Sequence, residues 1–122
     1  MSLLLAMDLQ TAVIAHLSWK SRLTDFFYGV ENLTLADVPD HTHCDFGKWL
    51  YGAANGLKEL AGFPEVNAME AVHKDVHDGI RKLVAMPKET RMSDEGKQAL
   101  ATFKDKCDRL VDMLERMEKQ AK

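Results

Sequence analysis

His73-Lys74-Asp75-Val76-His77 sets two imidazoles four residues apart. On a helix that spacing stacks both rings on one face, one turn apart, where they can grip a single metal ion. Spacing alone is weak evidence, because many such pairs hold no metal. Two further residues strengthen it. His16 falls on the inward seam of another helical segment, and a buried imidazole needs a partner. Several uncompensated imidazoles in one interior are costly, whereas a shared cation satisfies them all. Cys44 opens a third helical segment, where the first amides and the helix dipole favour thiolate over thiol. One thiolate and three imidazoles suit zinc, and His16, Cys44, His73 and His77 together give a closed tetrahedral set. The other cysteine, Cys107, sits mid-seam and reads as a small buried hydrophobe.

These residues must be positioned by helices. The first is expected from about Leu4 to Tyr28, with inward positions Leu5, Leu9, Ala12, His16, Trp19, Leu23 and Phe26 in alternating steps of four and three. Gly29 is a stop signal. Residues 30–43 break the pattern with Asn32, Asp37, Pro39 and Asp40, which reads as a loop or short irregular segment. A second helix is expected from Cys44 to Leu60, with Phe46, Trp49, Leu50, Ala53, Leu57 and Leu60 on one face. Gly47, Gly52 and Gly56 weaken it and suggest close approach of a neighbouring helix. The third helix is expected from Pro64 to Met86 on the seam Val66, Met69, His73, Val76, Ile80 and Leu83, closed by Pro87. Ser93 caps a fourth, whose seam is Leu100, Phe103, Cys107, Leu110, Leu114 and Met117. No strand-like alternation competes. The expectation is a single all-α domain over residues 1–122, an antiparallel four-helix bundle, with apolar surface left over for a homodimer to bury.

At this point the residues carry a family likeness. Cys44-Asp45-Phe46-Gly47-Lys48-Trp49-Leu50 resembles the C-x-F-G-x-W-L signature of the chemoreceptor zinc-binding (CZB) domains. His16 with Trp19 three residues on resembles the family's first-helix histidine, and His73 and His77 its H-x-x-x-H pair. The resemblance implies a 3His/1Cys zinc site in a regulatory, non-enzymatic domain. It implies a cytoplasmic setting, frequent dimerisation, and attachment to chemoreceptors or diguanylate cyclases. It further implies that the metal-bound cysteine, here Cys44, senses zinc or oxidants such as hypochlorous acid. The sequence contains neither methyl-accepting signalling helices nor a GGDEF-like segment. The effector is therefore expected in cis in a longer parent or in trans.

Other readings of the same residues exist. A hemerythrin-like di-iron bundle needs paired Glu-x-x-His motifs. Glu70-Ala71-Val72-His73 supplies one, but Lys74 and Val13 stand where the other two histidines would need a glutamate. Glu70 is then either a solvated helix residue or an acceptor that orients a ligating ring. Trp19 and Trp49 are candidates for the surroundings of the site, with core anchoring as their simpler role. A zinc hydrolase needs an open coordination position and finds no H-E-x-x-H here. A purely structural zinc domain shares every feature of a sensor. His41 and His43, in the loop before Cys44, could replace one ligand but are expected to face solvent.

The rest of the chain sets bounds. A net charge of −3 gives no reason to expect nucleic acid or an anionic membrane as partner. No apolar run approaches the ~20 residues needed to span a bilayer. Two cysteines make no disulfide framework, and no signal peptide is visible, so reduced thiols in the cytoplasm are expected.

Overall fold

A computed structural model of the chain describes residues 9–52, 56–59 and 61–121. Its regular structure is all helical, with no strand among the described residues. Helix α1 spans Leu9–Phe27, α2 Asp45–Tyr51, α3 Gly56–Glu59, α4 Val66–Val84, α5 Lys88–Arg91 and α6 Asp94–Ala121, with a 3-10 turn at Leu35–Asp37. The long helices α1, α4 and α6 form the body, α6 packing along both of the others.

The heptad seams explain that packing. In α1, Leu9, Ala12, His16, Leu23 and Phe26 are buried, with Trp19 half-buried against the core. Leu5 and the expected start at Leu4 lie outside the described residues. All six expected seam residues of α4 are buried, and so are all six of α6. Helix α1 ends where expected. Gly29 takes φ 81°, a left-handed conformation that costs glycine little. The Gly29 and Val30 amides then donate back to Phe26 and Asp25, at 3.2 and 2.8 Å. At the start of α6, the Ser93 hydroxyl accepts from the Gly96 amide at 3.3 Å.

The second expected helix, 44–60, is corrected. It is helical over Asp45–Tyr51, breaks at Gly52, whose backbone is extended, and is helical again over Gly56–Glu59. Cys44 caps α2 from outside. Phe46, Trp49 and Leu50 are buried as expected; Ala53 and Leu60, and the side chain of Leu57, lie outside the description. The third expected helix is shorter than 64–86 by two residues at each end, and the four-residue α5 was not expected. Gly47 does permit a close approach, but of a turn rather than a helix. A Cβ there would collide with the backbone of His41 and Thr42.

Candidate metal centre

Cys44 is held by the turn before it. The Asp40 carboxylate accepts from the Thr42 amide and hydroxyl at 2.9 and 2.6 Å, and from the His43 amide and ring Nδ1 at 3.0 and 2.8 Å. These contacts hold the Asp40 carboxyl well below the usual carboxylate range, the Thr42 hydroxyl contributing most. The turn folds onto α2 because Gly47 leaves room for the His41 carbonyl. The Cys44 sulfur receives the Gly47 amide at 3.3 Å, and its thiol points at the His41 carbonyl at 3.8 Å.

The three imidazoles arrive from α1 and α4, each buried to within 2% of full enclosure. His16 donates through Nδ1 to the Ala12 carbonyl at 2.7 Å, and His77 through Nδ1 to the Pro39 carbonyl at 2.9 Å. A carbonyl can only accept, so both rings carry their proton on Nδ1 and present a bare Nε2 lone pair. His77 Nε2 is buried without a partner among the described residues. His73 Nε2 lies 3.4 Å from the Cys44 sulfur. The rings of His16, His73 and His77 stand 4.8–5.6 Å apart, nearly perpendicular to one another.

One ligand atom from each of His16, Cys44, His73 and His77 lies within 4.8 Å of every other. Corners of a zinc tetrahedron are ~3.5 Å apart, given bonds of ~2.0–2.3 Å, so side-chain rotations of about an ångström close the set. Burial makes the imidazoles good donors. It pushes His16 down to about 4, against the Ala12 hydrogen bond that raises it, and His73 down to about 2, with the other imidazoles adding to the effect. His77 is lowered by burial too. All three are neutral at pH 7. For Cys44 the expected preference for thiolate is reversed. Burial raises the thiol, and the opposing amides at the start of α2 do not compensate. Ionisation of this sulfur therefore has to accompany arrival of a cation, which expels the proton. A buried lone pair without a partner, on His77 Nε2, and a thiol that ionises on metal arrival fit zinc.

Phe46 covers the cluster, its ring 5.1 Å from His73 and 6.2 Å from His16, and Trp49 stacks on Phe46 at 6.0 Å. Trp49 thus borders the cluster through Phe46. Trp19 lines a cleft of about 240 Å³ that also reaches His16, Cys44 and His77. Among the described residues, Glu70 makes no hydrogen bond to an imidazole. Its carboxylate accepts from the Tyr51 hydroxyl at 2.9 Å; burial, with that hydrogen bond adding to it, raises the Tyr51 phenol to about 12. His43 is exposed and tied to Asp40, as expected for a loop residue. His41 departs from that expectation. It is half-buried, its ring 5.9 Å from Tyr51 and 6.0 Å from His73.

Sequence reasoning missed the supports. The Ala12 and Pro39 carbonyls fix two tautomers, and the Cys107 thiol donates to the His16 carbonyl at 3.2 Å, tying α6 to α1 beside the site. Burial pushes Cys107 up to about 11, so it remains a thiol. Backbone acceptors carry no side-chain signal, and only the fold reveals them.

Among known protein families, the sequence profile described as "chemoreceptor zinc-binding domain" matches residues 16–84, more than half of the chain and all four clustered residues. No curated protein and no solved structure matches.

Proposed function

The chain belongs to the chemoreceptor zinc-binding domain family, and on that footing we propose that it is a regulatory zinc-binding module of bacterial signalling, acting in chemotaxis or cyclic-di-GMP control. The observation that carries the reading is the cluster itself: three neutral imidazoles and one thiol from α1, α4 and the cap of α2, within 4.8 Å. Zinc bound there supplies a cross-link between elements and lowers the proton affinity of the sulfur. His16 and His77 supply Nε2, with tautomers fixed by Ala12 and Pro39. Cys44 supplies the only sulfur. Among the described residues no carboxylate joins the cluster, and Glu70 is engaged by Tyr51, which disfavours the di-iron reading.

The site responds through Cys44. The cleft beside Trp19 admits a small oxidant to the sulfur. With hypochlorous acid the thiolate attacks the chlorine-bearing reagent, chloride leaves, and oxygen stays on sulfur: RS⁻ + HOCl gives RSOH + Cl⁻. A sulfenic acid is a poorer metal donor than a thiolate and can be reduced again. Losing that donor frees the cap of α2, and the change passes to an effector. That effector is a chemoreceptor signalling region or a diguanylate cyclase, in cis or in trans, and the chain works as a cytoplasmic homodimer. Exposed Ile14, Tyr28 and Val30 support an interface with a second copy. The cross-links support an antiparallel bundle: Glu65 meets Arg116 while Gly79, further along α4, meets Phe103, earlier in α6.

The test compares the zinc-loaded chain before and after mild hypochlorous acid, by circular dichroism and zinc release. A change confined to local structure, absent in Cys44→Ala, is expected. Global unfolding on zinc loss would assign a purely structural role, and an unchanged response in Cys44→Ala would refute the switch.

A further inference from the structure

Of the two histidines in the turn before Cys44, only one is turned toward the site. His43 points to Asp40 and solvent. His41 is half-buried with its ring 6.0 Å from that of His73, close to the 5.6 Å that separates His16 from His77 within the cluster. Its ring is walled on another side by Tyr51 at 5.9 Å, and Tyr51 is itself anchored to α4 through the Glu70 carboxylate. The backbone of His41 cannot drift away. Its carbonyl sits in the space that Gly47 leaves and faces the Cys44 thiol at 3.8 Å. The imidazole thus stands beside the cluster, on a main chain held in place by the turn.

We propose that His41 is a reserve metal ligand: when the Cys44 thiolate is withdrawn, the His41 imidazole takes the vacant corner, and the ion is kept on His16, His41, His73 and His77. This inference rests on the zinc reading above. A neutral imidazole is as acceptable to zinc as a thiolate in geometry, and four nitrogen donors still close a tetrahedron. The Tyr51–Glu70 pair gains a role, holding the ring beside His73 so that little ordering is required at exchange. The consequence is a site that detaches its sulfur without losing its metal, so that reducing Cys44 restores the first state with no new zinc needed.

The test uses the full chain and cobalt(II) as a spectroscopic probe, with zinc affinity read by competition with a coloured chelator. The variants are Cys44→Ala, His41→Ala, the double variant, and Cys44→Ala/His43→Ala as control. His41→Ala alone should bind zinc as the parent does. Cys44→Ala should lose the sulfur-to-cobalt charge-transfer band yet keep the intense absorption of tetrahedral cobalt. Adding His41→Ala should abolish that absorption and weaken zinc binding by about tenfold or more, the scale on which loss of a supporting group is felt at such sites. The His43 control should match Cys44→Ala. Identical spectra and affinities for Cys44→Ala and the double variant, with the parent binding one zinc, would overturn the reserve role and leave the zinc reading intact. A parent chain that binds no zinc would overturn both. Circular dichroism of each variant checks that the helices persist; His41 lies outside the core, so its removal should leave them unchanged.

Discussion

At the scale of single residues, the histidines that cluster were legible, because an imidazole on an apolar seam is an anomaly that demands a partner. His16 and His73 stand where leucine would be expected, and His77 follows His73 by one turn. What was not legible was the state of the sulfur. A helix start lowers a thiol's pKa by its amides, but burial opposes this, and the balance depends on how much protein surrounds the sulfur. Here Cys44 is half-buried, with His73 3.4 Å from its sulfur, and burial wins. The role of Gly47 was misread for a similar reason: the spacing shows that bulk is excluded there, but not what lies opposite. It is the His41 carbonyl, an immovable backbone atom. Alanine at 47 gains about 1 kcal/mol of helix propensity but must push the turn off α2. Overpacking of this kind costs ~1–3 kcal/mol. Gly47→Ala should therefore lower stability by up to about 2 kcal/mol net in urea titrations of the metal-free chain, and weaken zinc binding by displacing Cys44. An equally stable or more stable variant would show that the turn yields easily.

At the scale of elements, the three long helices were readable because each seam repeats over four or more turns, and a long periodic signal outweighs local noise. The short ones were not. Helix α2 has seven residues, far fewer than the ~12–15 an isolated helix needs to persist in water. Its apolar residues Phe46, Trp49 and Leu50 continue in phase toward Leu57, so the pattern ran on through Gly52, where the backbone turns extended. A glycine weakens a helix without deciding whether it stops, and tertiary packing made that choice. So short an element depends on its anchors, the buried side chains on one side and Cys44 on the other. Removing zinc with a chelator should therefore raise amide hydrogen exchange over residues 40–52, while the central amides of α1, α4 and α6 keep their protection. The measurement is exchange followed by mass spectrometry. Equal protection of residues 40–52 with and without metal would mean that zinc does not hold α2.

At the scale of the whole molecule, the chain couples a well-packed body to three neutral imidazoles placed near its middle. The helical class was set by the seams, and the meeting of α1, α4 and the α2 cap at one point follows from Arg91 holding the Phe26 carbonyl, Cys107 the His16 carbonyl and Arg81 the Val38 carbonyl, contacts no pattern announces. Buried neutral histidines make the metal-free fold acid-sensitive, and the sign is fixed. His16 takes up a proton at about 4 when folded and near the usual 6.5 when unfolded, and His73 only at about 2 when folded. Between those values the unfolded chain binds more protons, so stability falls as pH drops below 6.5 and continues to fall through 4. The melting temperature of the metal-free chain should decrease by roughly 10 °C between pH 7 and pH 5; a flat profile would place the imidazoles in water. Beyond these, the account depends on one ion held by one sulfur and three imidazole nitrogens. X-ray absorption at the zinc edge, with metal content measured on the same sample, tests this most directly. One zinc per chain with a single sulfur at ~2.3 Å and three nitrogens at ~2.0–2.1 Å is predicted, the sulfur disappearing in Cys44→Ala. Two metals per chain, or a shell of oxygen and nitrogen donors without sulfur in the parent protein, would contradict it.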